Sequence, residues 1–273
     1  MIIAGTMPIK ELPLIKGKGK IENNKLIING KEFPISMGTG VLIASAIKIL
    51  EYFNEELPTI ITAGDIGEGN GSLKIYEELK NIDDDIVVIH YIKPKISAIK
   101  EIDFSPKIIG DAGGMYAGKA ANIGDKFYLF LPDVGELAFL ADEKSYHPAY
   151  VRGFISETDD VEVPKLIDRA CKNNKMPKYM LVKGKTDYIV ENGNIVSTVG
   201  SPLIEAMECI GGTGDTLTGL VSSLINCGYD TVESCILGSK INRTLGEYIN
   251  ATPKTQIEEL IMAIPDVLKI MDL

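Results

Sequence analysis

Ile210-Gly211-Gly212-Thr213-Gly214-Asp215-Thr216-Leu217-Thr218-Gly219 is the most informative segment of the chain. A glycine-rich turn runs straight into the segment Asp215 to Asn226, so it reads as the start of a helix. At such a start the first backbone N–H groups have no intrahelical partner, and the positive end of the helix dipole lies behind them. The absence of side chains at Gly211, Gly212 and Gly214 lets an oxyanion come close to the backbone. A phosphate is held well there, and the charge that develops on a transferring phosphoryl group is held better. Asp215 falls in the first helical turn, within reach of a substrate hydroxyl beside that anion hole, where a carboxylate can act as general base. The competing reading is a plain capping turn, since Thr and Asp both suit helix starts.

Outward from this turn, short apolar runs alternate with helical segments. Gly38 to Asn54 reads as a largely buried helix, and Pro58 to Ala63 as a short apolar run followed by a glycine-rich turn and a helix from Ser72 to Lys80. Ile86 to Ile92, Lys107 to Asp111, Lys126 to Leu131 and Lys178 to Lys183 are further short runs, each closed by polar residues, Gly or Pro. That alternation predicts an α/β fold with a mainly parallel sheet and helices on both faces. Asn29-Gly30 within Lys25 to Ile35 and Asn192-Gly193 within Thr186 to Val199 are hairpin signals, so antiparallel additions are expected. Thr231 to Asn250 and Gln256 to Ile270 continue the chain as helices. No Gly/Ser- or Pro-rich linker and no repeat interrupts residues 1–273, which read as a single domain.

Ligands of such sheets sit beyond the carboxyl ends of the strands. The strand ends here are Thr62-Ala63-Gly64-Asp65, Gly110-Asp111-Ala112-Gly113, Leu131-Pro132-Asp133 and Val182-Lys183-Gly184. Each carries Gly, an acid or a Lys, so Asp65, Asp111, Asp133 and Lys183 join Asp215 as candidates.

The element GGTGD-x-L-x-G resembles the signature of the ADP/ATP-dependent NAD(P)H-hydrate dehydratases, a branch of the ribokinase-like superfamily. Sugar and vitamin kinases of that superfamily usually read G-A-G-D or G-T-G-D, without the doubled leading glycine. The resemblance implies a three-layer ribokinase-like fold, an anion hole at Gly212, Thr213 and Gly214, and Asp215 as catalytic residue. Pro132-Asp133-Val134-Gly135-Glu136 is similar to the superfamily's P-N-x-x-E element, which implies that Glu136 joins a Mg²⁺–water network with Asp133 in place of the usual Asn. Mg²⁺ takes oxygen ligands and keeps several waters, so one or two carboxylates suffice. Val182-Lys183-Gly184 resembles the strand end whose lysine faces nucleotide phosphate, Asp111-Ala112 the D-A strand end of the dehydratases, and Gly64-Asp65-Ile66-Gly67-Glu68-Gly69 their G-P-G-x-G turn, with Gly67 included.

The implied reaction uses ATP or ADP with Mg²⁺ to phosphorylate the ring hydroxyl of hydrated NADH or NADPH and then to expel phosphate. Two departures touch the substrate side: Leu131-Pro132-Asp133-Val134-Gly135-Glu136 replaces T-P-H-x-x-E, and Ile204 to Cys209 replaces the N-x-G-M-[AS] segment. A small-molecule kinase of the same fold and a non-catalytic nucleotide-binding protein remain as alternatives. The expected partners are a nucleotide and a small molecule, and family habit adds a homo-oligomer.

Other motifs carry less. Gly113 to Ala120 reads G-G-M-Y-A-G-K-A, close to a phosphate-binding P-loop, but Ala120 stands where the metal-binding hydroxyl belongs. Gly67, Gly69 and Gly71 suggest a dinucleotide turn with the third glycine one residue early. His90 and His147 stand alone, which favours structural or surface roles. Cys171, Cys209, Cys227 and Cys235 show no metal or disulfide spacing and read as free thiols. The net charge of −10 argues against a nucleic-acid partner, and Lys16, Lys18, Lys20 and Lys25 read as a solvated strand edge. The longest apolar run, Gly40 to Leu50, is broken by Lys48, and Met1 to Gly5 has no charged region ahead of it. No membrane segment is expected, and the location expected is the cytoplasm.

Overall fold

β1, Ile2–Met7, is the strand about which the sheet is organised, and it is buried along its whole length. It pairs in parallel with β5, Thr59–Gly64, on one side and with β6, Ile86–His90, on the other. The parallel block continues through β7, Lys107–Gly110, β8, Leu129–Phe130, and β9, Tyr179–Val182. A strand buried on both faces needs no polar alternation. This is why Ile2-Ile3-Ala4 and Ile86-Val87-Val88-Ile89 read as unbroken apolar runs. The chain is seen here in a computed structural model that describes residues 1–36, 38–143 and 162–273.

Both edges of the sheet are antiparallel. On one, β2, Ile15–Glu22, pairs with β5 and leads through β3, Lys25–Ile28, to β4, Lys31–Phe33. On the other, β10, Asp187–Glu191, folds back on β9 and is followed by β11, Asn194–Val199. Asn29, Gly30, Asn192 and Gly193 all have positive φ, as tight hairpin turns require. The full order is β11-β10-β9-β8-β7-β6-β1-β5-β2-β3-β4. Lys16, Lys18, Lys20 and Lys25 ride the exposed face of the β2–β3 edge in ion pairs with Glu78, Glu56, Glu22 and Glu32.

Two apolar cores flank this sheet. One is built around α1, Thr39–Tyr52, with α7, Thr213–Asn226, α8, Thr231–Tyr248, and α9, Ile257–Ile270. The other takes in α2, Asn70–Glu78, α3, Ile96–Ile99, α4, Gly113–Ala120, α5, Val134–Ala141, and α6, Val163–Asn173. The expected three-layer α/β fold with a mainly parallel sheet is therefore observed. One boundary differs: the run Lys126 to Leu131 yields only the two residues of β8, because Gly124–Lys126 closes a 3₁₀ turn first. α1 lies against α7, where Gly219 lets the helices approach: a Cβ there would stand 2.5 Å from the Leu42 carbonyl oxygen. That contact fixes the start of α7 over the carboxyl ends of the parallel strands.

Among the described residues, no helix is long and apolar enough to cross a membrane.

Candidate active site

α7 begins at Gly212, whose φ of 102° is a left-handed value that a side chain would strain. No side chain caps this end, so the first-turn amides of Thr213, Gly214 and Asp215 face outward without intrahelical partners. They open onto a cavity of about 770 Å³, lined on this side by Gly212, Thr213, Gly214 and Asp215. Gly211, expected among the phosphate-binding residues, is exposed with open space around its Cα and is not among the lining residues.

Asp215 is held from outside its own turn. One carboxylate oxygen accepts the Gly38 N–H at 2.7 Å, and the other is hydrogen-bonded to His90 Nε2 at 3.0 Å. Burial works against its charge, but the His90 hydrogen bond, Lys183 and the Gly38 amide together hold its pKa below the ordinary carboxylate value. A buried base kept ionised needs donors of this kind.

Lys183, at the end of β9, places its ammonium 3.0 Å from both oxygens of Asp111 at the end of β7. Burial disfavours its charge, yet the carboxylates of Asp111 and Glu136 hold it above the usual lysine range. Asp111 also accepts from its neighbour's Ala112 N–H and from Thr218 Oγ1 on α7, so its oxygens are fully engaged. His90, Asp111 and Asp215 bring one ligand atom each within 4.8 Å of one another. With Lys183 on Asp111 and His90 on Asp215, this cluster is a compensated hydrogen-bond and ion-pair network.

Next to Lys183, with which it forms a parallel bridge, Asp133 caps α5 and forms a reciprocal capping box with Glu136. The Glu136 carboxylate accepts from Tyr116 Oη at 2.9 Å and from the Asp133 N–H at 2.8 Å. Desolvation pushes its pKa up to about 8 against the pull of Lys183. The donor atoms here are all oxygen, and Asp133 is exposed to the cavity. That chemistry suits a Mg²⁺ ion held through its waters.

The structure thus brings Asp111, Asp133, Glu136, Lys183 and Gly212 to Asp215 into one cavity. Asp65 and Gly67 are not among its lining residues. The Asp65 carboxylate is taken up by the amides of Gly67, Gly69 and Ser72 and by Ser72 Oγ. The P-loop look-alike is spent on structure too: Gly113 to Ala120 is α4 itself, and Lys119 Nζ donates to the backbone carbonyls of Phe139 and Asp142. The four cysteines are free.

His90 is the residue that sequence reasoning missed. It is fully buried and bonded to Asp215, not isolated. Its one signal was position, at the carboxyl end of a parallel strand. His147 lies outside the described residues.

A model of the carbohydrate-kinase family described as NAD(P)H-hydrate dehydratase matches residues 96–266. An uncharacterized protein of Methanocaldococcus jannaschii is 68% identical over 228 residues, which covers 84% of this chain and 98% of that one. The ADP-dependent (S)-NAD(P)H-hydrate dehydratase of Cenarchaeum symbiosum is 27% identical over 154 residues, 56% of this chain and 48% of that enzyme. Among solved structures, the ADP/ATP-dependent NAD(P)H-hydrate dehydratase of Bacillus subtilis aligns with a TM-score of 0.54 at 14% identity, covering 84% of this chain and 83% of that one. Phosphofructokinase-2 of Escherichia coli aligns with a TM-score of 0.57 at 16% identity, covering 98% and 99%. At such identities the structural likeness speaks for the fold alone, which is that of the ribokinase-like kinases. The sequence matches carry the relationship further: the chain belongs to the NAD(P)H-hydrate dehydratase family of carbohydrate-kinase-related proteins.

Proposed function

We propose that this protein is an ATP- or ADP-dependent NAD(P)H-hydrate dehydratase, which repairs hydrated nicotinamide cofactor by phosphorylating its ring hydroxyl and eliminating phosphate. The observation that carries the reading is the juxtaposition at the start of α7: an Asp215 held ionised against desolvation, outward amides, and the Lys183 ammonium beside Gly214, 3.6 Å from where a Cβ on that glycine would stand.

In this reaction Asp215 takes the proton of the substrate hydroxyl as its oxygen attacks the terminal phosphorus of the nucleotide, and the nucleotide, shorter by one phosphate, leaves with the electrons of the bridging phosphorus–oxygen bond. The amides of Thr213 and Gly214 and the Lys183 ammonium stabilise the charge on the phosphoryl oxygens, and the glycines admit them to the backbone. Phosphate then leaves with the electrons of the carbon–oxygen bond, a proton is lost from the adjacent ring carbon, and the double bond returns. Glu136 and Asp133 would hold Mg²⁺ through its waters, and the ion would supply charge neutralisation at the phosphates. Positioning and electrostatics account for most of such a barrier.

The test is incubation of the protein with hydrated NADH, Mg²⁺ and either ATP or ADP, following recovery of the nicotinamide absorbance, with Asp215→Asn in parallel. Recovery in the wild type that vanishes in the variant supports the reading. The same geometry serves a small-molecule kinase, and the replaced segment Ile204 to Cys209, which lines this cavity through Ile204, Met207 and Glu208, is the feature that favours it. A stable phosphoester in place of free phosphate identifies that alternative. Nucleotide binding without turnover on any acceptor leaves a binding protein.

A further inference from the structure

The base sits at one end of a buried chain of hydrogen bonds that the phosphoryl transfer itself does not use. Asp215 Oδ1 is 3.0 Å from His90 Nε2, and His90 Nδ1 is 3.0 Å from Thr39 Oγ1. The His90 side chain is inaccessible to solvent, and Thr39 is 2% exposed. Thr39 opens α1, and Gly5 of β1 makes room for it: a Cβ at Gly5 would stand 2.8 Å from Thr39 Oγ1 and 2.5 Å from the His90 carbonyl oxygen. The Tyr91 ring closes the other side, edge-on to the imidazole at 4.3 Å. Three elements distant in sequence are thus packed around one ring.

For a neutral ring the donor inventory assigns the protons. An ionised carboxylate only accepts, so His90 Nε2 must carry hydrogen toward Asp215. In a neutral imidazole Nδ1 is then an acceptor, and the Thr39 hydroxyl is the donor that meets it. The charged and titratable groups facing this chain are Asp215 from α7, Asp111 at 4.0 Å from Nε2, Lys183 paired with Asp111, and Tyr91. Lys183 compensates Asp111, which leaves Asp215 as the carboxylate that the ring serves.

We infer that His90 is a positioning residue for Asp215, and that Thr39 selects the imidazole tautomer in which it acts. This rests on the reading of Asp215 as the base. His90 and the Gly38 amide each occupy one carboxylate oxygen, which fixes the plane of the carboxylate and directs the remaining lone pairs into the cavity. The same two donors keep the carboxylate ionised where burial would protonate it. Asp215 is therefore ready to accept a proton at pH values where an unassisted buried Asp would be neutral.

The test reads the Asp215 carboxyl directly, in protein carrying carbon-13 at the aspartate carboxyls, with the resonance identified by its loss in Asp215→Asn. In His90→Phe, which keeps a ring but no donor, the Asp215 midpoint is expected to rise by about one pH unit, the worth of one charge-assisted hydrogen bond. His90→Gln, whose amide can donate, is expected to restore most of that shift. An unchanged midpoint in His90→Phe overturns the inference. Should that variant not fold, Thr39→Val carries the test, since it leaves the imidazole in place and removes the tautomer-fixing donor. A raised midpoint there supports the inference and an unchanged one overturns it. In turnover of hydrated NADH, the acid limb of kcat should move up in the same order while KM for nucleotide stays unchanged, which a merely structural residue would not produce. A wild type with no such turnover but with the carbon-13 shift in place sinks the dehydratase reading and leaves the role of His90 standing.

Discussion

Two glycine-rich turns open helices at the carboxyl end of this sheet, and they differ in what takes up their amides. Gly69 before α2 and Gly212 before α7 are both left-handed N-caps, and neither has a side chain of its own to cap its helix. The difference lies in where the acid stands. Asp65 precedes its turn, so the loop folds back and gives the amides of Gly67, Gly69 and Ser72 to its carboxylate. Asp215 follows its glycines, inside the first helical turn, and finds its donors in Gly38 and His90. The amides of α7 are left for something else. A glycine-rich helix start is an anion site only when its own acid does not consume the N–H groups.

The largest effect expected from this contrast is at Asp215. Asp215→Asn should lower turnover by roughly 10²–10⁴-fold, the usual worth of a general base, with nucleotide affinity nearly unchanged. Asp65→Asn should leave turnover within about twofold, since surface-loop hydrogen bonds bear on stability. Steady-state kinetics with isothermal titration of nucleotide on both variants measures the contrast. Equal losses at the two positions would break it.

Lys183 stands close to the start of α7, its ammonium 3.6 Å from where a Cβ on Gly214 would be. It faces the cavity and at the same time neutralises Asp111, which is 2% exposed. Lys183→Met should destabilise the fold by about 3 kcal/mol because it leaves a buried carboxylate unpaired. Adding Asp111→Asn should recover part of that loss in urea unfolding. A single variant as stable as the wild type would show that the pair is dispensable to the fold.

A smaller effect belongs to the self-satisfied turn. Asp65→Ala removes the acceptor for three amides and one hydroxyl, and should cost about 1–2 kcal/mol. Burial raises the Asp65 pKa, but the hydrogen bonds from Gly69, Ser72 and Gly67 outweigh it and leave the value below 3.8. A depressed carboxyl stabilises the fold above its unfolded pKa, and that contribution is lost as pH falls through the folded value. The wild type should therefore lose more stability than Asp65→Ala on acidification below about pH 4, read from urea midpoints.

These contrasts also mark what the sequence could disclose. The alternation of Gly38 to Asn54, Pro58 to Ala63 and Ile86 to Ile92 is a local signal, and it carried the layered fold. Lys183 and Asp111 were legible because both end apolar runs, where parallel strands present their ligands. β1 was read only for what precedes it, since Ile2-Ile3-Ala4-Gly5 has neither alternation nor turn punctuation to mark a central strand. His90 gave no spacing signal, because its partners Thr39 and Asp215 lie 51 and 125 residues away and meet it only through the fold. Asp65 presents the converse case. Its strand-end position matches that of Asp111, and nothing local tells that the following amides turn back onto it.

The Asp133–Glu136 turn tests the rule between these extremes, because its acids cap their own helix and yet line the cavity. Desolvation raises the Glu136 pKa from 4.5 to about 8. A carboxyl with a raised folded pKa lends stability that is complete below its unfolded value and is lost as pH rises through the folded one. Wild-type stability should therefore decline relative to Glu136→Gln between 4.5 and about 8, with the two curves meeting in acid. Urea midpoints across that range measure the difference, and parallel curves would show that Glu136 is ionised throughout. Mg²⁺ and nucleotide should reverse the trend in the wild type, since the ion's bound waters donate to a carboxylate and favour its charged form. The amide variant keeps the cap and loses that response. A turn whose acids cap their own helix and still line the cavity lies between Asp65, which its own loop satisfies, and Asp215, which Gly38 and His90 hold from outside its turn.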